Sequence, residues 1–239
     1  MTLTAPHSPE TRSDRVGELQ SRIRGMEARR LDSRAVPTHP ALTAVLPGGS
    51  LREGTVVQAA GSTSLVMALL AGPSAAGRWV AVVGIPEFGV EAAARLGIDL
   101  DRLVLVPDPG RQWLTVAAAL ADVIPVVAVR PAGRLAPAEA SRFQARLRQR
   151  GTVLVSTGPW PGADTVLEVG ESSWSGLDRG HGALAEREVL VSAGGHGGLG
   201  RVMRARLRLP DRALGASVAP DPTAAPLGEV RHVDFRRAG

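Results

Sequence analysis

Three adjacent residues, Gly61, Ser62 and Thr63, stand where a β-branched run meets an apolar run of helix formers, in the stretch VVQAAGSTSLVMALLA from Val56 to Ala71. Strand, glycine turn and helix in that order can aim backbone N–H groups at a phosphate. In a working loop of the form G-x-x-x-x-G-K-S/T, the wrapped backbone cradles the β-phosphate, lysine bridges β and γ, and a hydroxyl holds Mg²⁺. Gly61 can supply the tight turn, Ser62 occupies the lysine position, and Thr63 occupies the position of the Mg²⁺ hydroxyl. The wrap is missing, because only Gln58, Ala59 and Ala60 stand between Val57 and Gly61. The chain contains no lysine at all. A bare helix N-terminus contributes about 0.3–1 kcal/mol toward an anion, whereas micromolar binding needs about 8 kcal/mol. The residues therefore predict a compact strand-to-helix turn, a degenerate nucleotide site and no catalysis.

A phosphate site also needs a carboxylate at the end of a neighbouring buried strand. VIPVVAV (123–129) ends in Arg130 and Pro131, and Glu87, after RWVAVVG, is the nearest strand-end carboxylate. The five histidines, His7, His39, His181, His196 and His232, lack metal-ligand spacing, so no metal is expected. No G-x-S-x-G occurs, and GGHGGLG joins two expected strands instead of opening a helix.

Arginines form the remaining candidate chemistry. Arg142, Arg146 and Arg150 are spaced i, i+4, i+8 on one helix face, with Arg130 and Arg134 ahead of that helix. Arg201, Arg204, Arg206 and Arg208 mark the last expected strand. All these sets read either as solvated faces or as contacts to phosphate, and the first five are the candidate DNA contacts. Aromatics are only 3% of the chain and tyrosine is absent, so any such contact would be phosphate-driven and salt-sensitive.

Composition sets the frame around these residues. With 239 residues, 44% of them hydrophobic and 21% charged, the chain is long enough to bury a core. Cysteine is absent, which removes disulfides, thiolate metal sites and cysteine nucleophiles. The start MTLTAPHSPETRSDR has no signal-peptide core, and no apolar run approaches the roughly 18 residues of a membrane span, so a cytoplasmic protein is expected. The net charge of +5 and pI near 11.2 fit either an arginine-rich coding bias or an anionic partner.

The elements that must position these residues alternate along the chain. Strands are expected at Thr55–Ala59, Arg78–Gly84, Leu103–Val106, Val123–Val129 and Gly151–Ser156, with helices at Ser62–Ala71, Val90–Leu96, Trp113–Leu120 and Pro137–Arg150 between them. That alternation predicts an α/β fold with a mainly parallel sheet flanked by helices. Thr165–Val169, Glu188–Val191 and Val202–Leu209 then predict an antiparallel C-terminal extension, with SAGGHGGLG as the turn before the last strand. Ahead of this core, Arg15–Arg30 carries Val16, Leu19, Ile23 and Met26 as one apolar stripe on a charged helix. The stripe can pack on its own domain or dock on another subunit or partner. Residues 1–40 are thus expected to form this helix and a proline-containing linker, 41–210 the core, and 211–239 a flexible tail whose Val233 and Phe235 offer a second docking element.

LPGGSLREGTVV (46–57) resembles the segment leading into the phosphate loop of RecA recombinases. AARLGIDLDRLVLVPDPG (93–110) resembles the RecA stretch A-R-x-L-G-V/I-D-I/L-D-x-L, and VIPVVAV falls where RecA has its strand ending in the Mg²⁺-site acid. The resemblance covers roughly 41–210. It departs from RecA at Ser62, at the shortened loop, at the missing acid, at two truncated DNA-binding loops near Arg130–Pro137 and Ser156–Ala163, and in lacking RecA's C-terminal domain. Together with GPWPGAD (158–164) and the ending from Gly198 to Pro210, this pattern resembles the RecA-like accessory proteins of the actinobacterial mutasome, the ImuA′ family. The resemblance implies a RecA-like, non-catalytic scaffold of SOS-induced translesion synthesis. It implies an ImuB-type Y-family polymerase-like partner, with a DnaE-class error-prone polymerase and RecA reached through the complex. Two other readings stand beside it: a SulA-like cell-division inhibitor binding FtsZ, and a nucleotide-binding regulator using Gly61–Thr63.

Overall fold

Buried on both faces, the short runs VVQA, VAVV, VVAV and VLVS read as strands that helices must cover from either side. The computed structural model describes residues 34–178, 181–194, 202–211, 213 and 215–219. Strands β1 (Ala35–Val36) and β2 (Leu51–Arg52) pair separately, while β3 (Val56–Ala59), β4 (Val80–Val83), β5 (Leu103–Val106), β6 (Val126–Val129) and β7 (Val153–Ser156) lie in the main sheet. The sheet continues with β8 (Thr165–Asp178), β9 (His181–Gly194), β10 (Met203–Arg208) and β11 (Ser217–Val218). Its order is β11-β10-β9-β8-β3-β7-β6-β4-β5; pairing is parallel from β8 to β5 and antiparallel from β8 outward to β11.

Helices α1 (Thr63–Ala75) and α2 (Val90–Arg95) cover one face, where Leu65, Leu69, Ala93 and Leu96 join Val57, Val80, Val82 and Val126 in one core layer. Helices α3 (Trp113–Ala121) and α4 (Pro137–Arg150) cover the other, where Trp113, Ala117, Phe143 and Leu147 pack on Ala81, Val127 and Leu154. Helix α4 has Pro at its first turn and Gly151 in the left-handed conformation just after it, at φ 74°, the start and stop signals its sequence carries.

Three sequence expectations change. The end of the stretch read as a linker is stapled to the core: Val36 is buried, and Leu51 N donates to Thr38 Oγ1 at 2.9 Å. The packed unit therefore begins by Ala35, not Ala41. At the other end, Ser217–Val218 pairs with β10 and Ala219 is buried, so the core passes the boundary set at Pro210. Strands β8 and β9 run 14 residues each, far beyond the expected Thr165–Val169 and Glu188–Val191. Val16, Leu19, Ile23, Met26, Val233, Phe235, Arg201 and most of the glycine turn lie outside the described residues.

Candidate functional site

The parallel strands all end on one side of the molecule, the side where open α/β sheets hold their ligands. Between β3 and α1 only Ala60, Gly61 and Ser62 intervene, and Gly61 makes the turn at φ 79°. Ser62 is extended and caps α1: its Oγ accepts from Leu65 N at 3.2 Å and shares a 3.1 Å hydrogen bond with Ser64 Oγ. The side chain is buried, and one of the N–H groups an anion would need is already taken. Thr63 is the first residue of α1.

Glu87, in the loop after β4, is not alone. Arg130, directly after β6, donates Nη1 to Glu87 Oε2 at 2.9 Å and Nη2 to Oε1, a bidentate pair across adjacent strand ends. The hydrogen bonds from Arg130 hold the Glu87 carboxyl below its ordinary value, and Glu87 in turn raises the Arg130 guanidinium. Arg130 is fixed from its backbone as well, with its N–H donating to Val83 O at 2.9 Å.

The other candidate arginines do not gather at this end. Arg134 lies exposed in the loop before α4 and Arg142 on its outer face. Arg146 and Arg150 sit at the far end of α4, where both engage Asp122: Arg146 Nε donates to Oδ1 at 2.7 Å and Arg150 Nε to the same oxygen at 3.2 Å. The Arg146 hydrogen bond comes first among the causes that lower the Asp122 carboxyl. Since α4 is about 21 Å long, Arg142, Arg146 and Arg150 are strung along a helix, with Arg130 and Arg134 in the loop ahead of it, instead of surrounding one ligand. On β10, Arg206 meets Glu188 at 3.5 Å and Arg208 meets Glu186 at 3.3 Å, so these two arginines are paired with carboxylates of β9.

The short loop between β7 and β8 is tied down by contacts of its own residues with β3 and α4. Trp160 N donates to Gln58 Oε1 at 2.9 Å, and the Trp160 ring meets Phe143 edge-on at 5.5 Å. Gln144 Nε2 donates to Gly162 O at 2.7 Å, and Asp164 Oδ2 accepts from Val56 N at 2.8 Å. A glutamine inside the apolar run VVQA was the available signal for the first of these.

Order of strands and position of the glycine turn define the class: this is a RecA-like α/β fold with an antiparallel C-terminal extension. Among solved structures, that of the RadB recombinase is similar at a TM-score of 0.53 and 16% identity, over 75% of this chain and 97% of the other. A family model described as the MT3502 N-terminal domain matches residues 44–162. The uncharacterized protein Rv3395c of Mycobacterium tuberculosis is 42% identical over 127 residues, 52% of this chain. The match spans 62% of that relative's length. No helix among the described residues is long and apolar enough to cross a membrane.

Proposed function

We propose that this protein is a non-catalytic RecA-fold accessory protein that scaffolds translesion synthesis in the SOS response, and that it acts in the cytoplasm. The observation that carries the non-catalytic part is the closure of the phosphate end by the protein's own side chains. Ser62 caps the helix that would face a phosphate, and Arg130 engages both oxygens of the strand-end carboxylate Glu87. With three residues between β3 and α1 and no lysine in the chain, neither the wrap nor the bridging cation of a phosphate loop is present. The fold then serves as a rigid platform, as expected of a protein kept for what it binds.

The partner in this reading is an ImuB-type polymerase-like protein, through which a DnaE-class polymerase and RecA are reached. It rests on the sequence resemblance, with the apolar stripe of Arg15–Arg30 and the Val233–Phe235 end as docking elements. Co-purification with an ImuB-type protein encoded nearby tests it. Retention by the full chain, with loss on removing residues 1–30 or 220–239, supports the proposal; no retention by the full chain rejects it.

A further inference from the structure

The tryptophans of this chain differ in what covers them. Trp113 and Trp160 are buried, and Trp174 has the Arg187 guanidinium 5.9 Å from its ring centre. Trp79, directly before β4, is 48% exposed and has neither kind of cover among the described residues.

Its neighbours at that end of the sheet are apolar as well. Strand β4 lies between β6 and β5, with Val80 opposite both Val126 and Leu103. Val123, shortly ahead of β6, is 78% exposed, and Leu100, shortly ahead of β5, is 45% exposed. The Leu100 turn is held against the approach to β4, for a Cβ at Gly77 would lie 3.1 Å from Arg102 Nη1. Three adjacent strands span about 10 Å, so Trp79, Val123 and Leu100 share one rim at the amino ends of the strands. Single exposed apolar side chains are ordinary on a protein surface. Three at one rim, with a tryptophan on the middle strand, are costly to leave wet.

The charges beside this rim select the kind of partner. Arg78 meets Glu53 at 3.8 Å, and Arg102 meets Asp99 at 3.6 Å. Asp122, next to Val123, is held by Arg150 at 3.2 Å and by Arg146. These pairs are closed within the chain and put both signs on the border, although the whole chain carries +5. A polyanion would have to break them, and so would a strongly basic partner. A second copy of the same surface sets apolar centre on apolar centre and mixed border on mixed border. That self-complementarity is what a two-fold contact requires.

We propose that the rim formed by Trp79, Val123 and Leu100 is the contact between two copies of this chain, related by a two-fold axis. The phosphate end lies at the opposite ends of the same strands, so it faces away from the contact and the dimer presents two such ends.

Light scattering during gel filtration of the full chain tests this. The expected mass is twice 24.9 kDa at micromolar concentration, falling toward the single-chain value on dilution. Val123→Asp puts an unpaired carboxylate into the contact and should weaken association by about tenfold or more. Trp79→Ala should act in the same direction. Trp174→Asp, at a comparably exposed tryptophan on the β8–β9 ribbon, should leave the dimer intact. Circular dichroism of each variant separates dissociation from loss of fold. Because the border pairs are closed within each chain, the dimer should also hold in about 1 M NaCl, where the screening length is about 3 Å. A single-chain mass at every concentration, or a dimer unmoved by Val123→Asp and Trp79→Ala, would overturn the proposal. So would a dimer broken equally by Trp174→Asp, or by salt alone.

Discussion

Arg130 and Glu87, on loops that follow two adjacent parallel strands, face each other with both guanidinium nitrogens on both carboxylate oxygens. Neither group is buried, so the pair is an electrostatic clasp at the surface and not a core element. It nevertheless places a fixed cation against a strand-end carboxylate on the side where the parallel strands end.

The clasp should weaken with salt and acid. Because Arg130 holds the Glu87 carboxyl below its ordinary 4.5, the contribution is present above that pH and is lost as pH falls through the lower folded value. Glu87→Gln should lower the unfolding midpoint slightly at neutral pH and low salt. The difference should close in 1 M NaCl, where the screening length is about 3 Å. Thermal denaturation at two salt concentrations checks both expectations.

Ser62 is the second test point. Ser62→Ala removes the helix cap and should cost about 1 kcal/mol in denaturant unfolding. Ser62→Lys restores the bridging cation without the wrap, so calorimetry with ATP and Mg²⁺ should register no binding heat. A gain of nucleotide affinity in that variant would mean that lysine alone had been lacking.

Gly72→Ala reverses the usual helix rule. An alanine normally stabilises a helix interior by about 1 kcal/mol over glycine. At Gly72 a Cβ would come within 2.3 Å of His39 N and 2.5 Å of Thr38 C, which are backbone atoms unable to rotate away. Destabilisation of about 2–3 kcal/mol is expected. Measured stabilisation would show that the segment from Ala35 to Leu42 is not packed on α1.

His39 gives that packing a pH signature. Burial pushes its imidazole below 6.5, opposed in part by Asp211, and Nδ1 accepts from Ala41 N at 3.2 Å, which requires that nitrogen unprotonated. The folded protein binds the proton more weakly than the unfolded chain, so stability should fall as pH drops below 6.5 toward the folded value. His39→Asn keeps an acceptor for Ala41 N and should flatten this dependence in urea melts between about pH 7.5 and 5.5.

Local pattern made much of the fold readable. Leu103–Val106 and Pro137–Arg150 have the bounds read from the chain, because a short apolar run and a period-3.6 pattern end there at turn and cap residues. The β8–β9 ribbon was read short, since GESSWSGLD carries no apolar alternation where the strand leaves the core and is held by pairing with β9. Val36 looked like part of a linker because Pro37 and Pro40 follow it closely, whereas its burial depends on contacts with distant parts of the chain, β2 among them. At the site, the shortened loop was legible from spacing alone. The pairing of Arg130 was not, for its carboxylate lies 43 residues away.

The most direct test of the account is phosphate release from ATP by the purified full chain, with Mg²⁺ and single-stranded DNA, against Ser62→Ala as control. Both proteins should stay at the buffer rate with and without DNA. DNA-stimulated release by the wild-type chain, lost in the control, would contradict it.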